Sequence, residues 1–481
     1  TGALSNLGSL LMHQGRLDEA ERHLDRALTL QPRMTEALIN LAFLLRAKGR
    51  PAEAEATYRR ALSIEPGNSL AELNLCFLLL AQGRLREAWP LHGARLHPQR
   101  RQVNTRVPTF AWPQWRGESL QGRSLVIWPE QGLGDAIQFL RYARLLKQRG
   151  LARLTIVCQP SLAPLLRTLE GVDTVEVNVS AVPPHDFWVL LMDLPERFDT
   201  TLETIPADLP YLRPDPARVA LWSPRLPAGR RVGLVWRGSP GHRNDAHRSL
   251  PGLATLAPLW KVRGVQFVSL QKGAGEDESA QPPEGQPLAD LGRHFGDFAD
   301  AAAVISQLDL VICVDTSVAH LAGALGKPVW VLLPRLGTDW RWLTGREDSP
   351  WYPGVMRLFR QREVDDWSEV VDRIAQALPG FLATVRPQTT PEARIAADRE
   401  VTRALALAGS GKPMLAEVAY RRALAIAPGH AGTLNNLAVL LSAQGRVAEA
   451  EACWREALAA HPDDGACLYN FGSHLADTQQ Q

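Results

Sequence analysis

Lysine and cysteine are both scarce in this chain of 481 residues. Six of its 53 basic residues are lysines, a bias that gives no single exposed arginine special meaning. The five cysteines, Cys76, Cys158, Cys313, Cys453 and Cys467, are scattered. None forms a Cys-x-x-Cys pair, and no histidine spacing completes a zinc site. A disulfide framework is not expected, and a reducing, cytoplasmic setting with free buried thiols fits best. Charge of one sign is lacking too, since the formal net charge is +2; the total neither marks nor excludes an anionic partner, and nucleic acid is not expected. A membrane span is not expected either: the longest apolar stretch, residues 308–334, is broken by Asp309, Asp315, His320 and Lys327. Signal-like regions are missing at the start, where the chain begins Thr-Gly.

What is present begins with a repeat. Pro32 and Pro66 are 34 residues apart, and the same interval separates Gly15, Gly49 and Gly83, and Ala20, Ala54 and Ala88. Helical apolar patterns run between these anchors, with Gly8 and Ala42 placed where paired helices must approach. The pattern returns near the other end: Pro428 and Pro462, Gly411 and Gly445, and Ala416 and Ala450 keep the same spacing, and Asn436 and Asn470 repeat likewise. Period, small positions and terminal prolines resemble the tetratricopeptide repeat. Such stacks present a concave binding surface, although a bare scaffold would carry the same pattern. Because the chain starts inside a repeat, its natural N-terminus is expected to lie upstream.

Between the repeat blocks, strand-length apolar runs alternate with helical segments, as in βαβ units with a parallel sheet. Strands are expected at 125–128, 154–157, 174–177, 187–191, 232–236, 266–270, 310–314 and 329–333. The proline-rich stretch 205–230 reads as a linker between two α/β lobes. Ligands of such lobes lie at the carboxyl ends of the strands.

Four segments sit at those ends. The first, W-P-E-Q-G-L-G-D-A-I-Q-F, places Gly132 and Gly134 for a tight turn and Asp135 at the opening of a helix; helix capping would account for Asp135 equally well. In the second, a buried strand runs into Asp315, Thr316, Ser317 and His320 at the start of a small-residue helix, where free amides and the helix dipole suit a phosphate. Capping by Thr316 and Ser317, with His320 as a core histidine, is the plainer account. The third holds Arg237, Gly238, Ser239, His242 and Arg243 just after a strand, either as a diphosphate grip or as an exposed polar turn. The fourth is S-L-Q-K-G, in which Lys272 can act as a point charge on phosphate. Asp339-Trp-Arg-Trp and Trp351-Tyr352 concentrate aromatics near the end of the second lobe, where packing between lobes outweighs stacking on a base or sugar. Trp112 and Trp115 are expected to join the repeats to the core.

E-Q-G-L-G-D-A-I-Q-F, V-G-L-V-W-R-G-S with H-R-N-D, S-L-Q-K-G, V-D-T-S-V-A-H-L-A-G-A-L-G-K-P and D-W-R-W-L occur in that order. Together they resemble bacterial repeat-containing glycosyltransferases related to the heptosyltransferases, glycosyltransferase family 9. The likeness covers about 112–378 and implies an α/β GT-B core of two Rossmann-like lobes flanked by all-α repeats. The implied division is 1–100 repeats, 105–215 acceptor-side lobe, 230–385 donor-side lobe and 395–481 repeats. It also implies Asp135 as general base, with His242 as the other candidate. Gly132, Gly134, Arg237, Arg243, Lys272, Asp315, Thr316, Ser317 and His320 would bind the donor. Heptosyltransferases usually carry Gly where Ser317 stands. A more distant likeness, of architecture alone, is to the O-linked N-acetylglucosamine transferases.

The implied reaction moves a sugar from a nucleotide-sugar, a substrate rather than a cofactor, to an acceptor hydroxyl with inversion. No Asp-x-Asp triplet occurs, so helix dipole and cations are expected in place of a metal. A protein acceptor recruited by the repeats, such as flagellin, is expected; a lipid-linked or polysaccharide acceptor, or a non-enzymatic scaffold with a vestigial pocket, are the rivals. Repeats at both ends also offer surfaces for self-association.

Overall fold

The computed structural model describes residues 1–97, 107–130, 132–384, 391–427, 430–460 and 464–478. Pro428 and Pro462, and the expected domain limits at 100, 105 and 385, lie outside the described residues. The N-terminal repeats form three helix pairs: α1 (Gly2–His13) with α2 (Leu17–Leu30), α3 (Thr35–Ala47) with α4 (Pro51–Ile64), and α5 (Ser69–Ala81) with α6 (Leu85–His92). Gly15, Gly49 and Gly83 take φ of +74°, +75° and +79° at the turns, a conformation that only glycine adopts without strain. Ala20, Ala54 and Ala88 are fully buried between helices. A Cβ on Gly8 would come within 2.7 Å of Leu24 Cγ, which is why that position is small.

The first lobe is a parallel sheet in the order β3-β2-β1-β4, from β1 (Ser124–Trp128), β2 (Arg153–Val157), β3 (Thr174–Glu176) and β4 (Phe187–Leu190). Helix α7 (Leu133–Phe139) follows β1, and α8 (Pro216–Trp222) follows the first lobe. The second lobe is a six-stranded parallel sheet, β10-β9-β8-β5-β6-β7. Its strands are β5 (Arg230–Val235), β6 (Val265–Ser269), β7 (Ala289–Asp290), β8 (Leu310–Val314), β9 (Val329–Leu333) and β10 (Met356–Arg360). Helices α9 (Phe298–Ile305) and α10 (Ser317–Ala324) flank β8, and α11 (Trp367–Thr384) closes the lobe. In both sheets the strand order reverses beside the first strand, the doubly wound topology that opens a crevice at the strands' carboxyl ends. Two such lobes make the GT-B core. The C-terminal repeats are α12 (Pro391–Gly409), α13 (Pro413–Ile426), α14 (Ala431–Ala443), α15 (Val447–Ala460) and α16 (Gly465–Thr478).

Strands β7 and β10 were not among the segments expected from the sequence. Strand β7 has two residues, too few for a pattern, and β10 reads Met-Arg-Leu-Phe-Arg on the sheet's edge with Arg357 exposed. The proline-rich crossing is also less of a free linker than its composition implies. The amides of Tyr211 and Leu212 both donate to Ala324 O, at 3.1 and 3.2 Å. Trp222 Nε1 donates to Asp300 Oδ1 at 2.9 Å, and Arg218 pairs with Asp297 at 3.0 Å.

The joint between repeats and core is made chiefly by Trp89 and Arg95 rather than by Trp112 and Trp115. Trp89 Nε1 donates to Thr200 O at 2.7 Å. Trp112 stacks on Phe110 at 4.5 Å in a small cluster that includes Leu96, while Trp115 turns into the first lobe and bonds Trp188 O through its amide. The aromatics of 340–352 do pack between lobes: Trp340, Trp342, Trp351 and Tyr352 are all buried.

Helix α10 approaches that aromatic wall through Gly323, where a Cβ would meet Tyr352 Cγ at 2.7 Å. Tyr352 is fully buried and has no room to withdraw. Gly323→Ala should therefore cost about 1–3 kcal/mol by overpacking, read as a lowered urea midpoint. An unchanged midpoint would contradict this packing.

Candidate active site

Gly132 is the N-cap of helix α7, and Asp135 occupies the third helical position rather than the cap itself. One carboxylate oxygen, Oδ2, reaches back to accept the Gly132 amide at 2.7 Å. The capping account of Asp135 thus describes half of the side chain. The other oxygen, Oδ1, accepts from Arg341 Nη2 on the second lobe. Burial raises the Asp135 pKa above the usual carboxylate value, Arg341 works against that rise, and nearby Asp339 adds to it.

Arg341 is the centre of the arrangement. Its Nη1 donates to both oxygens of Asp339 at 2.9 Å each, and Asp339 in turn accepts the Arg341 amide at 2.9 Å. The guanidinium lies 4.7 Å from the Trp340 ring centre and 5.3 Å from that of Phe139, so it is flanked by aromatic faces that suit a buried cation.

At the carboxyl end of β8, Asp315 leads into α10. Burial and the neighbouring Asp339 carboxylate push the Asp315 pKa upward. Arg248 Nη1 donates to Asp315 O at 3.1 Å. Thr316 is the N-cap of α10, yet its side chain makes no capping bond, and its Oγ1 is buried without a hydrogen-bond partner. A polar group left in that state at a helix N-terminus leaves a donor open beside amides that favour an anion.

His320 faces the first lobe. Its Nδ1 lies 3.0 Å from Tyr352 OH, and the ring stacks on Trp342 at 5.1 Å. Burial, with the Arg341 charge nearby, lowers its pKa to about 3. Gly134 lies against it: a Cβ there would meet His320 Cδ2 at 2.8 Å and Ser317 Cα at 3.4 Å. Gly134 therefore serves the close approach of α7 to α10 across the lobes.

Asp135, Gly132, Gly134, Asp315, Thr316, Ser317 and His320 are thus gathered where the two lobes meet. The remaining expected residues stand in the surrounding loops. His242 is solvent-exposed by surface area, yet the protein around its loop desolvates the ring and, with Arg248, lowers its pKa, while Asp339, Asp245 and Asp135 act in the opposite sense. Arg243, in the same loop, is exposed. Arg237 turns to Glu278, at 3.2 Å, and to Pro251 O. Lys272 Nζ donates to Arg293 O at 3.0 Å. Neither Arg237 nor Lys272 touches the Asp135–Arg341 pair. Buried Gln271 ties their loops together: its Oε1 accepts the amides of Trp236 and Arg237, and its Nε2 donates to Arg237 O and Ala274 O. Among the described residues, no three His, Cys, Asp or Glu side chains are placed to hold a metal ion.

Sequence reasoning passed over Arg341, Asp339 and Arg248 as site residues. The Asp339-Trp-Arg-Trp segment stood out for its aromatics, and the charged pair inside it was the usable signal.

A buried neutral histidine makes stability depend on pH. The unfolded chain takes up a proton near the ordinary histidine pKa, about 6.5, that folded His320 takes up only near 3. Stability is thus full above about 6.5 and falls as pH is lowered through that window, by up to about 1.4 kcal/mol per pH unit for one proton. His320→Gln should flatten this acid slope in chemical denaturation between pH 6.5 and 5. A slope equal to wild type would show that His320 takes up its proton normally in the folded protein.

Comparison with known proteins meets the same organisation. Tetratricopeptide repeat models match residues 2–65, 45–88 and 407–469. The glycosyltransferase family 9 (heptosyltransferase) model matches residues 296–332, which run from α9 through β8 and α10 into β9. The chain is 31% identical over 332 residues to Protein FlbA of Caulobacter vibrioides, covering 62% of this chain. It spans about half, 53%, of that relative's length. Among solved structures, a family 9 glycosyl transferase from Veillonella parvula aligns with TM-score 0.43 and 12% identity over 56% of this chain and 99% of its own. The E. coli ADP-heptose LPS heptosyltransferase II aligns with TM-score 0.39 and 14% identity over 54% of this chain and 98% of its own. The stretch that matches the glycosyltransferase family 9 (heptosyltransferase) model thus lies between two sets of tetratricopeptide repeat matches.

Proposed function

We propose that this protein is an inverting, metal-independent glycosyltransferase that moves a sugar from a nucleotide-sugar to an acceptor hydroxyl, with a protein acceptor recruited by the repeats. The observation that carries the reading is the position of Asp135. Its carboxylate stands on the first lobe, facing the second-lobe loop and helix start that offer Arg341, Arg248, the unpartnered Thr316 hydroxyl and the α10 amides.

In this reading, Asp135 accepts the acceptor hydroxyl's proton as the new glycosidic bond forms. The leaving diphosphate gathers negative charge, which the start of α10 and the two arginines stabilise. Arg341 has two further duties: it aims the Asp135 oxygen and keeps that carboxylate ionised in a buried setting that favours its protonated form. His242, held toward its neutral form, is the second candidate for the base. Lys272 and Arg237 reach the donor once their contacts with Arg293 O, Glu278 and Pro251 O give way to phosphate oxygens, and Arg243 reaches it from its exposed loop.

The test is a thermal-shift panel of ADP-, GDP-, UDP- and CMP-sugars with and without EDTA, followed by transfer assays. One nucleotide class should raise the melting temperature regardless of chelation. Asp135→Asn should keep that shift while lowering kcat about 10²–10⁴-fold, the usual contribution of a general base. Because the base must be ionised, kcat/KM should rise with pH through a limb lying above the ordinary carboxylate range. No shift with any nucleotide from a folded sample, or full turnover by Asp135→Asn, would contradict the reading.

A further inference from the structure

The two partners of the Asp135–Arg341 pair come from different lobes, and the third N-terminal repeat grips the chain behind each of them. Behind Asp135 stands Glu130, five residues earlier on the turn after β1. Arg95, at the end of the repeat, donates Nε to Glu130 Oε1 and Nη2 to Glu130 Oε2, both at 3.0 Å, and Nη2 to Asp193 Oδ1 at 2.6 Å. All three side chains are buried, and Glu130 Oε2 also accepts the Met192 amide at 3.0 Å. A charge buried among so many bonds has one low-energy position, because leaving any partner unmatched is expensive.

Behind Arg341, the carbonyl of Ala81 at the end of α5 accepts the Thr344 amide at 2.8 Å and its Oγ1 at 3.1 Å. Trp89 of α6 stands edge-on to Trp340, with ring centres 6.0 Å apart. Between Arg341 and Thr344 lies Leu343, a buried non-glycine residue at φ +54°. Such backbone costs on the order of 1–3 kcal/mol and persists only where its surroundings over-determine it. The bonds from Ala81, the Trp89 edge, and Arg360 Nη2 donating to Trp342 O and Leu343 O at 2.7 Å each are those surroundings.

We infer that the third N-terminal repeat is a positioning element of the site, which holds the Glu130 turn and the 340–344 loop so that Asp135 and Arg341 meet. This rests on the proposed glycosyl transfer at Asp135 for its catalytic consequence, though not for the mechanical coupling itself. The repeat then does more than recruit an acceptor. Loosening it withdraws Arg341 from Asp135, and loss of that positive charge raises the pKa of the carboxylate further.

The experiment uses the full chain with Trp89→Phe and Thr344→Val, the first removing the Nε1 bond and part of the edge contact, the second only a hydroxyl. Trp222→Phe, an equally buried tryptophan on the second lobe's far contact with α9, is the control for general destabilisation. Hydrogen exchange is followed in peptides spanning 133–139 and 340–345. Trp89→Phe should speed exchange in both by about tenfold, with a smaller rise for Thr344→Val, while Trp222→Phe leaves both unchanged. In parallel, nucleotide release from ADP-glucose, GDP-mannose and UDP-N-acetylglucosamine is measured with water as acceptor. There Trp89→Phe should lower turnover about fivefold and move the acid limb upward by about half a pH unit. Unchanged exchange in the two peptides, or changes matched by Trp222→Phe, would overturn the inference. Failure of wild type to release nucleotide from any donor would count against the glycosyltransferase reading alone, and the exchange data would still decide the coupling.

Discussion

The Arg341 guanidinium is buried between Asp135 of one lobe and Asp339 of its own, and a charge in that position constrains everything around it. Taking an arginine and two carboxylates out of water is unfavourable by several kcal/mol per ion, and the attraction among them repays this only when the geometry is tight. Asp339 supplies two bonds, Asp135 a third, and the rings of Trp340 and Phe139 line the flanks. Each of these partners is itself pinned: Asp135 by the Gly132 amide, and Trp340 by its contacts with Trp89, Phe139 and Trp351. This cation is thereby one of the ties that set the relative placement of the lobes.

A second set of contacts runs beside the first. Arg141 of the first lobe donates to Gln138 O at 2.7 Å and Pro206 O at 3.1 Å and lies over the rings of Tyr211 and Tyr352, at 4.9 and 4.7 Å. Tyr352 also meets His320, whose ring faces Gly134 across the interface. Helix α7 thus touches the second lobe along its length: Gly134 and Asp135 at its start, Phe139 near its end, and Arg141 just past it. The residues that would do chemistry and those that join the lobes are largely the same, so chemistry at Asp135 would depend on how the lobes are held.

Much of the architecture was legible in the sequence, because the signals were periodic or local. A 34-residue interval in glycines and alanines reports helix pairs directly, and β8, buried along its whole length, reads as an apolar run ending at Asp315. What escaped was nonlocal. Arg341 and Asp135 are 206 residues apart, and no spacing rule connects two lobes folded separately. Gly134 was legible as a required glycine but not as to what it approaches, since His320 comes from the other lobe. Arg237 and Lys272 were read from residue type, their place at strand ends and the family resemblance, whereas their contacts with Glu278 and Arg293 O depend on how the β6 loop turns back. Trp89 was not singled out in the sequence, because its role as a joint belongs to the docking of the repeat on the core.

The account stands or falls on whether the junction of the lobes at Asp135 is a nucleotide-sugar site. The most direct measurement is a crystal structure of the full chain with the nucleotide-sugar that stabilises it most. The account predicts the diphosphate against the start of α10, with Thr316 Oγ1 and Arg248 or Arg341 within hydrogen-bond distance and the anomeric carbon turned toward Asp135. A donor bound elsewhere, or one held with its sugar facing away from Asp135, would contradict it.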